Sequence, residues 1–226
     1  SDGQNLIGNT GDLTITFSTA GTYDIFISGT FPYIYFNNGG DRLKMVGLTN
    51  LGIYALGGTS QSDAFEGCAN LIITATDSGN FENVTNFARA WAFCTSITSF
   101  PQIDTSSVTS FSQCWWGCSA ITVFPLLNTS ASIGFDNAWR QCSSLIIFPD
   151  LDLSLSTNFD QTWRDCSSMT TFLPTDLGSS TNFARAWNGC SSLASFPLVD
   201  VSLGINFFGA WGGCAFTSFL LLVVSS

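Results

Sequence analysis

The sequence predicts an α/β solenoid: a right-handed superhelix in which each 24-residue repeat supplies one short parallel strand and one short helix. Two observations predict it, a W-x-x-C motif that returns at constant spacing and a Phe four residues before each Trp. A fixed period of about 20–50 residues is typical of solenoids, in which each unit buries its apolar face against its neighbours. The motif occurs at Trp91/Cys94, Trp115/Cys118, Trp139/Cys142, Trp163/Cys166, Trp187/Cys190 and Trp211/Cys214, and Phe65/Cys68 is a degenerate earlier copy.

Three segments follow from this pattern. Residues 1–58 are expected to form a β-rich N-terminal cap, residues 59–219 a stack of about seven repeats, and residues 220–226 an apolar tail. In the cap, T-I-T-F-S, T-Y-D-I-F-I-S and Y-I-Y-F (14–18, 22–28 and 33–36) alternate as strands do and are separated by Gly-containing turn signals. A terminal repeat needs such a cap, because its apolar face has no further repeat to cover it.

Within one repeat, F-D-Q-T-W-R-D-C (159–166) places Phe159, Trp163 and Cys166 at helical spacing, which predicts a short amphipathic helix. The next segment, S-S-L-I-I-F (143–148) in the preceding repeat, is short and β-branched, which predicts one strand. Pro149 and its counterparts end that strand because proline cannot donate to a sheet ladder.

The stretches N-F-A-R-A-W-N-G-C-S-S-L (182–193) and F-D-Q-T-W-R-D-C-S-S-M (159–169) resemble the repeats of BspA-like leucine-rich-repeat surface proteins of bacteria, and of their relatives in phages and mobile elements. The length of the unit also matches a leucine-rich-repeat turn. This chain departs by using Trp where that family more often has Phe, and Phe-Pro where it more often has Leu. The resemblance implies a leucine-rich-repeat-like fold, a place on a surface and an adhesive role.

Charge and composition exclude several classes of function. The formal net charge is −10, with six Lys and Arg and no His. Nucleic acids and anionic membrane surfaces require a basic patch, so neither is expected as a partner. No apolar run is long enough to span a bilayer. The chain begins at Ser1 without Met, as a processed secreted protein or a shortened chain would.

The eight cysteines are expected to be free and buried. Seven of them share one register, and parallel Cβ vectors on neighbouring repeats fit the disulfide dihedral poorly. Cys114 and Cys118 lie four residues apart and are the one pair that could share a helical face.

The repeated Trp residues are expected in the core, although a sugar-stacking strip is the alternative interpretation. Trp116 is the exception, because it lies in the row that follows the repeated Trp and that should face solvent. Arg140 and Arg164 occupy the same row one and two repeats later. A surface Trp flanked by Arg predicts a contact patch with cation–π potential.

A second polar row, which we call the acidic row, consists of Asp104, Asn128, Asp152, Asp176 and Asp200. Asx-turn capping of the local backbone is the simpler interpretation, and Ca²⁺ bridging of stacked carboxylates is the alternative. No other cofactor is expected. N-x-[ST] motifs at Asn83 and Asn128 are candidate N-glycosylation sites if the protein is secreted.

The apolar tail is the candidate assembly element: Phe219, Leu220, Leu221, Leu222, Val223 and Val224 carry no charge. It could fold back over the last repeat, add a strand to another molecule, or remain disordered. Catalysis is not expected, because the serines have no His base and the carboxylates are spread one per repeat.

These observations predict a secreted, non-enzymatic structural or adhesive protein at a cell or virion surface, assembling head to tail into a filament. The alternative is a monomeric surface adhesin or a phage tail-fibre recognition module that binds a glycan or a host protein.

Overall fold

The computed structural model describes residues 15–28, 34–52, 59–79, 81–174 and 176–216. Regular elements are few in this part of the chain: a 3-10 helix, Arg42–Lys44, and four two-residue strands. The strands are β1 (Gly47–Leu48), β2 (Ile72–Ile73), β3 (Ile147–Phe148) and β4 (Thr171–Phe172). β1 pairs with β2 and β3 pairs with β4, both in parallel.

Parallel bridges connect each repeat to the next one. The longest row of bridges starts at Ser60 and continues through the residues that precede each repeated Phe: Asn86, Ser110, Gly134, Asn158, Asn182 and Asn206. A second row runs from Ser99 through Val123 to Ile147, where it continues into the β3–β4 pair. Because each partner lies one repeat away along the chain, the repeats stack in register. Ser60 belongs to the degenerate copy around Phe65, which therefore forms the first repeat of the stack.

The short helix predicted in each repeat is not found in the described residues, and successive tight turns take its place. In residues 159–166, the N–H groups of Phe159, Gln161, Trp163 and Asp165 all donate to carbonyls of the next repeat. The intervening N–H groups of Thr162, Arg164 and Cys166 donate three residues back. Gln161 and Asp165 have φ of 55° and 62°, which no right-handed helix contains. The prediction was wrong because turns that recur every four residues place side chains nearly as a helix does.

The inward positions of these turns build a column of stacked rings. Phe65 and the six Trp of the W-x-x-C motifs stack in sequence, with centroids 5.2–6.2 Å apart and planes within 12° of parallel. A second column of Phe rings meets the Trp rings nearly at right angles, as between Phe100 and Trp91 at 4.7 Å and 77°. Offset stacking and edge-to-face contact are the two favoured aromatic geometries, so both columns stabilise the stack.

The N-terminal region differs from the predicted β-rich cap. Residues 15–28 contain no strand, and their clearest contact is the stacking of Phe17 on Tyr23 at 4.1 Å. Ile25, Phe26 and Ile27 are all exposed, so the alternating pattern has no buried face to follow. The first repeat is instead covered by Phe36, Asn37 and Asn38, whose N–H groups donate to its carbonyls. The described part of the predicted cap contributes a single strand, β1.

Candidate functional site

The exposed edge of the stacked turns, between the repeated Phe and Cys, carries four of the five arginines. We call this surface the turn face. It includes the row that follows the repeated Trp, with Trp116, Arg140 and Arg164. The row is less exposed than predicted, because Ala92 is fully buried and Trp116, Arg140 and Arg164 are half-buried. The predicted exposure of this row is therefore found only in part: Ala92 is buried, whereas Gly212 is exposed.

Trp116 is held on several sides. The Arg140 guanidinium lies over its ring, with the Cζ atom 4.8 Å from the ring centroid. Its indole N–H donates to Gln141 Oε1 at 2.9 Å, and Phe93 packs against it with centroids 4.9 Å apart. These contacts occupy the indole, so Trp116 acts here as a support for Arg140 and not as an open stacking platform. The sequence analysis does not identify Gln141. The 24-residue spacing would have pointed to it, because Gln141 is one repeat after Gly117, the residue that follows Trp116.

Arg140 and Arg164 lie on adjacent repeats, which the hydrogen bond from Gln141 N to Arg164 O (2.7 Å) joins. Each arginine donates from Nη1 to an amide on its own repeat: Arg140 to Asn137 Oδ1 at 3.4 Å and Arg164 to Gln161 Oε1 at 2.8 Å. Arg164 Nε also lies 3.5 Å from Asp165 Oδ2. Burial and the neighbouring Arg164 charge lower the pKa of Arg140 from its ordinary value. The pair therefore concentrates positive charge that the surrounding side chains only partly offset.

Another arginine of the turn face is fully neutralised. Arg89 lies 3.1 Å from Asp63 and 2.8 Å from Glu66, and the Glu66 side chain is 4% exposed. Hydrogen bonding to Glu66 and the nearby carboxylates raise the pKa of Arg89. This cluster therefore leaves no unpaired positive charge for an anionic ligand. The sequence does not predict this cluster, although Asp63 and Glu66 both lie about one repeat before Arg89.

The acidic row caps the backbone. In each of its five members the side-chain Oδ1 accepts a hydrogen bond from the N–H two residues later, at 2.9–3.2 Å, as an Asx turn does. The bond from Ser106 lowers the pKa of Asp104, and the bond from Ser202 lowers that of Asp200. Among the described residues, no group of His, Cys, Asp and Glu is arranged to hold a metal ion. Ca²⁺ bridging thus gains no support here.

Both candidate glycosylation residues lie at the surface of the molecule. Asn128 Oδ1 accepts hydrogen bonds from the backbone N–H and the hydroxyl of Ser130, which leaves its amide nitrogen, the atom that would carry a glycan, directed elsewhere. Phe219–Val224 lie outside the described residues. No helix in the described part of the chain has the length and apolar character needed to cross a membrane.

All eight cysteines are free thiols, and seven of them are buried. From Cys94 onward, each repeated thiol lies 3.1–3.3 Å from the carbonyl oxygen of the residue at the Trp position one repeat earlier, so it donates a hydrogen bond across the stack. Burial raises the pKa of Cys68 and Cys118 to about 12 and that of Cys214 to about 11. These thiols therefore stay protonated near neutral pH and serve packing.

No match to this chain was found among protein-family models, curated proteins or solved structures.

Proposed function

We propose that this chain is a secreted, non-enzymatic structural protein that assembles head to tail into an extracellular filament. The observation that carries the proposal is the difference between the two ends of the repeat stack. At the N-terminal end, the carbonyls of Asp63, Ala64 and Glu66 accept hydrogen bonds of 3.0–3.1 Å from the residues at 36–38. The first repeat is thus covered by its own chain.

At the other end, the N–H groups of Gly209 and Gly213 meet no acceptor among the described residues. Their counterparts in every earlier repeat donate to the following repeat, as Arg185 does to Phe208 and Gly189 to Gly212. The same repeat exposes Ile205 and Phe208. Backbone donors that have no acceptor among the described residues, beside apolar side chains, offer a template for another chain, and a head-to-tail contact that does not close produces filaments. The sequence suggests that the apolar segment Phe219–Val224 of another molecule pairs with these donors.

The chemistry of the side chains supports a role without catalysis. The chain has no His, the commonest general base. Its thiols have raised pKa values, so they are poor nucleophiles near neutral pH. Lys44 forms an exposed ion pair with Asp41 at 2.8 Å. The exposed sequons and the resemblance of the repeats to BspA-like surface proteins support an extracellular location.

The test is electron microscopy with light scattering on the purified chain and two matched variants. Ile205→Asp places a charge on the last described repeat, whereas Ile133→Asp makes the same change in the same row of an interior repeat. We expect filaments from the unchanged chain and from Ile133→Asp, and short oligomers or monomers from Ile205→Asp. Monodisperse monomers of the unchanged chain, or filaments unaffected by Ile205→Asp, would contradict end-to-end assembly. Deletion of 217–226 then tests whether the tail is the donated element.

A second candidate function, a surface adhesin or phage tail-fibre module that recognises a glycan or a host protein, is favoured by one observation. The Arg140 guanidinium is fixed over Trp116 in the middle of the stack, away from both ends. A rigid, partly desolvated cation is a common recognition element in protein surfaces. This function does not require assembly, and the microscopy described above does not test it.

A further inference from the structure

The Arg140–Arg164 pair is unusual for a chain with so few cations. Of the six Lys and Arg residues, Lys44 pairs with Asp41, Arg89 with Asp63 and Glu66, and Arg164 with Asp165. Like Arg42 and Arg185, Arg140 has no carboxylate within 4.0 Å among the described residues, although the chain carries sixteen Asp and Glu. Asp160 and Asp165 act on it only from farther away, and Arg164 opposes them. Arg140 differs from Arg42 and Arg185 because a second arginine, Arg164, acts on it electrostatically. An anion from outside would therefore offset two neighbouring positive charges at once.

The donors of this site are held in place before any ligand arrives. The Arg140 guanidinium packs on the ring of Trp116, and the indole N–H of Trp116 donates to the Gln141 side chain. Among the described residues, the hydrogen bonds of the two guanidinium groups involve Nη1 only. The Nε atom of each arginine is buried, so the donors that remain for a ligand are on Nη1 and Nη2. A fixed fork of donors loses little conformational entropy on binding, which favours bidentate contact with a carboxylate.

The surroundings restrict the ligand to one negative charge. The formal net charge of −10 and the nearby Asp160 and Asp165 repel a polyanion such as a nucleic acid or a heavily sulfated polymer. The neighbouring side chains Asn137, Gln141 and Gln161 are neutral amides, which pair well with hydroxyl groups. A single carboxylate on an otherwise neutral, hydroxyl-rich molecule satisfies both conditions.

We propose that Arg140 and Arg164 form a binding site for the carboxylate of a terminal acidic sugar on a neutral glycan, with Trp116 as the positioning residue that holds Arg140. The inference rests on the recognition function proposed above as the second candidate. It is independent of filament formation, because the site lies between the ends of the stack.

The test uses three probes that share one neutral oligosaccharide: one capped with glucuronic acid, one with its methyl ester, and one with glucose. Binding is measured by titration calorimetry at low and at high salt. We expect the acid probe to bind at least about tenfold more tightly than the ester, since a hydrogen bond to a charged group is worth more than one to a neutral group. Its affinity should fall at high salt, because the site is partly exposed.

Variants separate the site from general charge. Arg140→Gln and Arg164→Gln should each weaken binding of the acid probe by about tenfold or more. Arg185→Gln removes the same charge from another position of the turn face and should leave binding unchanged. Trp116→Phe keeps a ring beneath Arg140 and should retain most of the affinity, whereas Trp116→Ala should lose it. Thermal unfolding of each variant verifies that the fold is kept.

The outcomes distinguish the inference from the function on which it rests. Equal binding of acid, ester and glucose probes would overturn the carboxylate site while leaving glycan recognition in place. Absence of binding by all three probes would overturn both the carboxylate site and recognition of a glycan. Loss of binding in Arg185→Gln to the same extent as in Arg140→Gln would show that net charge alone is responsible and would also overturn the site.

Discussion

Trp115 and Trp116 are neighbours in the chain but belong to different parts of the molecule. Trp115 is fully buried, stacked on Trp91 and Trp139, and its indole N–H meets no acceptor among the described residues. Trp116 is half-buried, supports a guanidinium and donates its N–H to Gln141. The interior therefore accepts an unsatisfied donor for the sake of ring packing, whereas the turn face arranges its polar groups individually. Packing is repeated from one repeat to the next, whereas the polar contacts of the turn face differ between repeats.

The same contrast occurs within the turn face. Arg89 pairs with Asp63 and Glu66, whereas Arg185, at the same position four repeats later, has no carboxylate within 4.0 Å among the described residues and lies over the Phe208 ring. One backbone thus presents either a closed ion-pair cluster or an open cation, depending on which side chains occupy the repeats before and after it. The three predictions that follow test this difference between a uniform interior and an individual surface.

The largest effect is expected from breaking the ring column. Trp115→Ala should lower the free energy of unfolding by about 3–5 kcal/mol, because it removes a fully buried aromatic side chain and leaves a cavity. Trp116→Ala should lower it by about 1 kcal/mol at most, since a partly exposed cation–π contact is worth little. Denaturant unfolding followed by fluorescence measures both. Similar losses in the two variants would show that the column is no more important than the surface.

An intermediate effect is expected at the closed cluster. Arg89→Ala should cost about 2 kcal/mol of stability, because Glu66 remains buried without its charged partner. Arg140→Ala leaves no buried carboxylate behind and should change stability by about 0.5 kcal/mol or less. The double variant Glu66→Gln/Arg89→Ala should lose less than the sum of its single variants, since neighbouring residues couple. Additive losses would argue against a closed cluster.

The smallest effect concerns pH. Backbone and side-chain hydrogen bonding from Ser106 lowers the pKa of Asp104, so the ionised form stabilises the fold. That contribution is complete above the ordinary Asp pKa of about 3.9 and is lost as the pH falls through the lowered value. Asn128 makes the equivalent bond without a charge. Asp104→Asn should therefore keep its stability near neutral pH and lose less stability than the unchanged chain in thermal melts at acid pH. If the melting temperatures of the unchanged chain and of Asp104→Asn fell equally at acid pH, titration of Asp104 would be excluded as the cause.

Much of the interior could be predicted from the sequence. The spacing of Phe, Trp and Cys predicts the inward positions, and Phe159, Trp163 and Cys166 are buried as that spacing requires. The free state of the cysteines and the Asx turns of the acidic row agree with the sequence analysis for the same reason: both depend on residue type and local geometry. The backbone of the turns could not be predicted, because a four-residue turn period is nearly indistinguishable from a helical one.

What the sequence by itself determined is the repeat, its period and the side of each turn that is buried, since these depend on the apolar pattern along one chain. Only the tertiary structure decided which polar groups meet. Arg140 reaches Trp116 on the preceding repeat, Arg89 reaches Glu66, and Gly209 is left without an acceptor among the described residues. Those outcomes depend on hydrogen bonds and charges between neighbouring repeats. The energy of such an interaction is set by the distance between the two groups in space, not by their separation along the chain.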